Sequence, residues 1–170
     1  TPLSTTLTIT KDMTIRSAVP ITISGRGSVR VFTVNAGVKA TLDGLTIYSG
    51  TSSVGGGISN DYDGQFTLTN STLSGNSVDA YDNGGAIHNR GTVTVVDCFL
   101  TGNTLALSGT QGGAVFSVGS LTVDRCTFSN NSAFEGGALR SQGSACILTN
   151  STFTANSALV GGACSFADGG

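Results

Sequence analysis

The residues that could carry chemistry are few in this chain of 170 residues, which has ten acidic side chains, eight basic ones and a single histidine. The best candidate group lies at matching positions of successive sequence repeats, namely Asn70, Asp97, Arg125 and Asn150, with Asp124 beside it. Acid–base chemistry on sugars needs clustered carboxylates, often with a cation. We expect Asp97 and Arg125 to be neighbours, and an exposed ion pair is the simpler interpretation of them.

The histidine and the four cysteines add no strong candidate for catalysis or metal binding. His88 follows an apolar residue and is expected to point outward to the surface, without a catalytic role. Cys98 and Cys126 occupy the same position in successive repeats, so either a disulfide or two buried thiols fits them. Cys146 and Cys164 fall where other repeats carry apolar residues, and we interpret them as small core side chains. The isolated cysteines predict no metal site.

Two acidic loops resemble part of a calcium loop, because they carry Asp and Asn at alternate positions before glycine. They contain Asp61 and Asp63 in one segment, and Asp79 and Asp82 in the next. The pattern lacks the terminal glutamate of such a loop, so we expect solvated turns, with calcium as the alternative and no other cofactor.

A glycine motif repeats along the chain and organises all of these residues. Gly55, Gly84, Gly112, Gly136 and Gly161 each begin a Gly-Gly-small-apolar tetrapeptide, at successive spacings of 29, 28, 24 and 25 residues. Such periods are typical of solenoids. Glycine tolerates positive φ and close backbone approach, so these five residues are predicted to form the corners at which each coil turns into its first strand.

A second motif follows each glycine motif at a nearly fixed distance and ends in Asn76, Asn103, Asn131 and Asn156. A buried amide at a turn can bond the backbone and the amides above and below it. We therefore predict a ladder of four asparagines that holds neighbouring coils in register.

Between the two motifs, apolar residues alternate with polar ones, which predicts strands with one buried face. Phe66 and Leu68 correspond to Val93 and Val95 one repeat later, and after a three-residue break a second pair follows, Ser71 with Leu73 or Cys98 with Leu100. Each repeat thus supplies three short strands and no helix. We predict an all-β fold, a right-handed three-sided parallel β-helix (a β-solenoid) with about 24–29 residues per coil.

The whole chain is predicted to be one β-helix domain, 1–170. Degenerate coils occupy 1–54, the regular repeats occupy 55–164, and 165–170 begin an incomplete coil. The last coil should then expose unpaired strand edges, so we expect copies of the chain, or adjoining coils, to stack end to end.

Composition argues against nucleic acid as a partner and against a membrane span. The net charge is −2, and eight scattered basic residues do not make the basic patch that nucleic-acid binding requires. Apolar runs are only a few residues long, so no membrane span is expected in this chain.

The alternating glycine motif and asparagine motif resemble the repeats of the chlamydial polymorphic membrane proteins, which are autotransporter surface adhesins with pectin-lyase-like β-helices. The resemblance covers roughly residues 55–164, and it departs from the family pattern at Gly57, Leu73 and Leu100. It implies an extracellular or cell-surface location and adhesion to a host or matrix glycan or protein.

We therefore expect a non-enzymatic structural or adhesive module, a segment of a surface adhesin or a subunit of a head-to-tail filament. A polysaccharide-active lyase, hydrolase or epimerase is the alternative. Ice or mineral binding through the threonines Thr67, Thr94 and Thr122 is a third, less favoured because Ile147 interrupts the column.

Overall fold

The computed structural model describes residues 2–79, 83–105, 109–143 and 145–167. Within these residues the chain forms short strands and turns, with every strand pair parallel to its neighbour. The described part contains no helix that is long and apolar enough to cross a membrane.

The first sheet takes one strand from each coil. Its seven strands, in spatial order, are β1 (Leu7–Ile9), β3 (Phe32–Val34), β6 (Ile58–Asn60), β10 (Ile87–Asn89), β13 (Val115–Ser117), β17 (Leu139–Ser141) and β21 (Cys164–Phe166). Neighbouring strands pair residue for residue, for example Ile58 with Ile87 and Ile87 with Val115. This register is the one that the repeat alignment predicts.

The second sheet holds the other two strands of each coil. It comprises β2 (Met13–Ser24), β4 (Lys39–Tyr48), β7 (Gln65–Thr69), β8 (Thr72–Ser74), β11 (Thr92–Val96), β12 (Phe99–Thr101), β14 (Ser120–Asp124), β15 (Thr127–Ser129), β18 (Cys146–Thr149) and β19 (Thr152–Thr154). The long strand β4 runs through the corner, so its first half pairs with β7 and its second half with β8. The two predicted faces therefore join into one sheet at this coil.

Two further short pairs follow the asparagine positions and add a fourth extended segment to some coils, which the three-strand prediction omits. They are β5 (Thr51–Ser52) with β9 (Ser77–Val78), and β16 (Ser132–Glu135) with β20 (Ser157–Val160).

The core is a set of stacked apolar columns inside the coil. Phe66, Val93 and Leu121 pair in one column, and Leu73, Leu100 and Phe128 in another, each at most 1% exposed. Parallel strands stack about 4.8 Å apart, so like residues meet directly. Stacking extends to the last coil, where the rings of Phe128 and Phe153 lie 4.7 Å apart. This internal stacking fixes the outward columns on which any site must lie.

Candidate functional site

The corner between the second and third strands of each coil carries the predicted charged group. One residue per coil there has a left-handed backbone, at Asn70, Asp97, Arg125 and Asn150, with φ between 48° and 54°. This single left-handed residue explains the three-residue break in the sequence. Asparagine and aspartate adopt this conformation more readily than most residues.

Arg125 links two coils at this corner. Its Nε and Nη2 donate to the two carboxylate oxygens of Asp97, over 2.8 and 2.9 Å, in a bidentate pair. Its Nη1 also pairs with Asp124 on its own coil. The Arg125 side chain is 53% exposed and that of Asp97 42%. The predicted neighbours Asp97 and Arg125 are thus brought together at the surface.

At two places on this corner, an aspartate accepts hydrogen bonds from a threonine and an asparagine of the next coil. Asp124 Oδ1 accepts hydrogen bonds from Thr149 Oγ1 and Asn150 Nδ2, over 2.8 and 2.9 Å. At the N-terminal end, Asp43 Oδ1 accepts from Thr69 Oγ1 and Asn70 Nδ2, over 2.9 and 2.8 Å.

Arg16 also binds Asp43, because its Nε lies 3.0 Å from the second carboxylate oxygen. We call Arg16, Asp43, Thr69 and Asn70 the upper charged cluster. Both aspartates therefore fasten one coil to the next.

Each of these carboxyls is stabilised in its charged form. The hydrogen bond from Arg125 lowers the pKa of Asp97. Hydrogen bonds from Asn150 and Thr149 lower the pKa of Asp124, and hydrogen bonds from Asn70 and Thr69 lower that of Asp43. A general acid for sugar chemistry needs a raised pKa. At neutral pH these three groups can accept protons only weakly, and they act mainly as hydrogen-bond acceptors.

The structure places the four predicted asparagines in one hydrogen-bonded ladder. Asn76 Nδ2 donates to Asn103 Oδ1 over 3.0 Å, Asn103 to Asn131 over 3.0 Å, and Asn131 to Asn156 over 2.9 Å. The same oxygens also accept from the backbone N–H of the preceding rung. The first three asparagines are fully buried. The amides of these three asparagines are therefore not accessible to a ligand.

The five motif glycines lie at corners, each with positive φ, and one shows why glycine is needed. The φ values are 52° at Gly55, 74° at Gly84, 69° at Gly112, 62° at Gly136 and 72° at Gly161. A Cβ atom at Gly112 would lie 2.1 Å from the carbonyl oxygen of Val115. The chain therefore doubles back against its own strand at this corner.

The cysteines are free thiols, and the disulfide alternative for Cys98 and Cys126 is not what the structure contains. Both are buried, and a hydrogen bond with Cys126, together with burial, raises the pKa of Cys98. Cys146 and Cys164 pack against the core, as expected of small core side chains, but they are only half-buried because their coils lie at the end of the described stack. Burial raises the pKa of Cys164 to about 11.

The described aspartates of the acidic loops belong to no metal-binding group. Asp63 and Asp79 are exposed and Asp61 is half-buried, while Asp82 lies outside the described residues. No group of three or more potential metal ligands occurs among the residues that the structure describes.

His88 contradicts the expectation of a surface histidine. Its side chain does point away from the core, yet it is only 3% exposed. The corner at Gly55 folds over it, so closely that a Cβ there would lie 2.9 Å from His88 Cβ, and Phe116 stacks on the ring at 5.4 Å.

Burial lowers the pKa of His88 to about 4, with contributions from the nearby charges of Arg90 and Arg30. Its Nδ1 is buried without a hydrogen-bond partner. At neutral pH the imidazole is therefore uncharged.

The covered outward column continues from His88 to a second polar group that the sequence analysis missed. Arg140 follows His88 and Phe116 in the register of the first sheet and is 8% exposed. Its Nη1 lies 3.2 Å from Glu135 and donates to Ser165 Oγ over 3.0 Å. Three consecutive buried residues in each of β10, β13 and β17 reflect this cover, whereas their sequence alternation predicts one exposed face.

A cleft of about 320 Å3 opens beside the upper charged cluster. Between the pairs Arg16–Asp43 and Ile21–Leu45, β2 has four intervening residues and β4 has one, so β2 bulges outward. Pro20 lies in this bulge and lacks the N–H that a regular ladder needs. The cleft is lined by the bulge and by the corner below it, namely Ser17, Ala18, Val19, Gly44, Leu45, Thr46, Asn70 and Thr72.

Hydroxyl side chains dominate the faces around the cleft. Thr14, Thr41, Thr67, Thr94 and Thr122 stack in one outward column, which ends at the exposed Ile147. The neighbouring column on the third strands contains Thr46, Thr72, Phe99, Thr127 and Thr152. Phe99 interrupts the threonines and is 58% exposed.

Comparison with known proteins agrees with this architecture. A family model described as a right-handed beta helix region matches residues 9–170. No curated protein and no solved structure matches the chain.

Proposed function

The chain belongs to the right-handed β-helix family, and on that premise we propose that it is a non-enzymatic structural and adhesive module of an extracellular or cell-surface protein. Its partners are adjoining coils or further copies of itself at the ends, and a host or matrix glycan or protein along its sides.

The observation that carries the proposal is how the outward charges are used. Arg125 joins Asp97 to its own coil, and Asp124 binds Thr149 and Asn150 of the next coil. Asp43 does the same with Thr69 and Asn70. These contacts stabilise the stack, and they hold the carboxyls in the charged form that accepts hydrogen bonds. This favours a scaffold over acid–base chemistry at the same residues.

Composition supports the adhesive part of the proposal. Charged residues make up only 11% of the chain, and the outward columns are rich in threonine and serine. A neutral, hydroxyl-rich surface on a rigid solenoid offers many equivalent hydrogen-bonding positions to an extended ligand.

The second candidate is a polysaccharide lyase, hydrolase or epimerase, favoured by the convergence of Asp97, Asp124 and Arg125 on one exposed corner. Fold alone does not decide between an enzyme and a binding module.

Turnover of polygalacturonate and of alginate, followed by the release of unsaturated or reducing ends, separates the two functions. We expect no turnover above that of a buffer control, for the wild type and for Asp97→Asn alike. Turnover by the wild type that is lost in Asp97→Asn, with the far-UV spectrum unchanged, would overturn the non-enzymatic proposal and establish the enzyme.

A further inference from the structure

We infer that the cleft at the β2 bulge, together with Phe99, is a binding site for a neutral oligosaccharide. The inference rests on the proposed adhesive function and assigns it a ligand class and a place on the surface.

The lining of the cleft suits a sugar ring. It combines the hydroxyls of Ser17, Thr46 and Thr72 with the amide of Asn70, which together can donate and accept hydrogen bonds. Val19, which is 65% exposed, supplies an apolar wall. The volume of about 320 Å3 is at the lower end of the range for small-molecule sites, which fits one ring of a longer chain.

The aromatic residue extends the site along the coil axis. Thr46, Thr72 and Phe99 are consecutive members of one column, so Phe99 lies one strand beyond the edge of the cleft. Strands are spaced about 4.8 Å apart. A second ring linked to the one in the cleft therefore reaches the exposed face of Phe99, where its apolar C–H face can pack against the aromatic ring.

Electrostatics select a neutral sugar over an acidic one. None of the eight lining residues is charged. The nearest cation, Arg16, already pairs with Asp43 over 3.0 Å, and the second cation on this corner, Arg125, is shared by two aspartates. The carboxylates are those of Asp43, Asp97 and Asp124, and the two guanidinium groups belong to the arginines just named. These charges sum to one net negative charge, which repels a uronate.

The experiment titrates the folded, isotope-labelled chain with cellotriose, xylotriose, mannotriose and maltotriose, and with trigalacturonate, and follows amide chemical shifts. We expect at least one neutral trisaccharide to bind, with shifts centred on Thr46, Asn70, Thr72 and Phe99, and trigalacturonate to bind more weakly than it. A monosaccharide should bind more weakly than the trisaccharide, because it cannot reach both parts of the site.

Two variants and a control test the location. Phe99→Thr restores the threonine of its column and should weaken binding roughly three- to tenfold through loss of the aromatic contact. Ala18→Trp fills the cleft from an exposed position and should abolish binding. Tyr62→Ser removes an exposed aromatic side chain from another corner and should leave the affinity unchanged. The amide spectrum of each variant reports whether it is folded.

The inference is overturned if no neutral trisaccharide binds, if trigalacturonate binds best, or if Phe99→Thr and Ala18→Trp both bind like the wild type. Each of these results leaves a structural or adhesive role through another surface intact. Cleavage of a trisaccharide during the titration, detected by chromatography, would instead contradict the non-enzymatic function on which the inference rests.

Discussion

At the scale of single residues, the outward column of the first sheet does not follow the simple rule that alternate residues meet solvent. His88 and Arg140 both point away from the core, yet both are buried under the segments that lead into the glycine corners. A buried polar group without a partner is costly. The Nδ1 of His88 has no hydrogen-bond partner. Protonation of His88 would therefore place a charge in a buried site where this nitrogen has no acceptor, and it should destabilise the fold.

The first prediction concerns the pH dependence of stability through His88. Burial lowers its folded-state pKa to about 4, against 6.5 for the ordinary value. Above about pH 6.5 neither state binds the proton. As the pH falls from 6.5 towards 4, the unfolded state binds it first, so the free energy of unfolding decreases, by about 3 kcal/mol in total. Urea unfolding of the wild type at pH 7.5, 6, 5 and 4 measures this loss.

His88→Gln is the matched variant, since it keeps a polar side chain and removes the titrating group. Its free energy of unfolding should fall less than that of the wild type over the same pH range. Parallel pH profiles of the two proteins would show that the lowered pKa of His88 does not contribute.

Some residue roles follow from the sequence and others do not. Asn103 and Asn131 recur at a fixed place in a rigid segment, so their stacking could be predicted from the alignment of repeats alone. His88 is covered by a corner whose preceding loop varies in length between repeats, and that covering leaves no periodic signal. The cleft was missed for a related reason. It depends on a bulge in the degenerate N-terminal coils, for which Pro20 within an otherwise strand-like segment was the available sign.

At the scale of the elements, two kinds of corner use left-handed residues in different ways. The glycine corners are crowded by backbone, as at Gly112, where a Cβ would meet the oxygen of Val115. The corner after the third strand has one positive-φ residue per coil, namely Ser49, Gly75, Gly102, Asn130 and Ala155. It is open at Gly102, where an added Cβ would have no atom within 4 Å. The recurrence of glycine at the crowded corners therefore reflects close backbone approach as well as φ.

The second prediction compares alanine at the two kinds of corner. Gly112→Ala should lower the free energy of unfolding by more than about 3 kcal/mol, because left-handed strain is added to a clash with fixed backbone. Gly102→Ala should cost only about 1 kcal/mol, because no atom lies within 4 Å of the added Cβ. Urea unfolding measures both values. Equal losses would mean that φ, and not the close approach, dictates glycine at Gly112.

The third prediction concerns the rungs of the asparagine ladder. Asn103 is fully buried and bonds to Asn76, Asn131 and the carbonyl of Leu73, so Asn103→Ala should cost about 2–4 kcal/mol by leaving buried groups unpaired. Asn156 is half-buried, and water can replace the lost partner, so Asn156→Ala should cost about 1 kcal/mol.

Chemical denaturation of the two asparagine variants tests the difference. A loss at Asn156 as large as that at Asn103 would contradict the idea that solvent access sets the cost of a missing rung.

At the scale of the whole molecule, each coil is stabilised only by the coils beside it, so the last described coil is less well packed than the others. Cys146, Leu148 and Phe153 are inward residues of that coil, yet they are only partly buried. Strands β18, β19, β20 and β21 each pair with a single neighbour. Unpaired parallel edges of this kind are templates for further strands.

The fourth prediction is that the isolated 170-residue chain associates end to end as its concentration rises, because a second copy can pair with these edges and cover the partly buried inward residues. Phe166 continues an inward column of the first sheet and is 53% exposed, so Phe166→Lys places a charge where the next coil would stack and should keep the chain monomeric.

Leu159→Lys is the control. Leu159 is 78% exposed, and it points outward because its neighbour Ala158 on β20 points inward, so this variant should associate like the wild type. Sedimentation velocity over a wide concentration range measures all three proteins. A wild-type chain that remains monomeric throughout would contradict self-stacking and would favour adjoining coils of the same polypeptide as the cover for these strands.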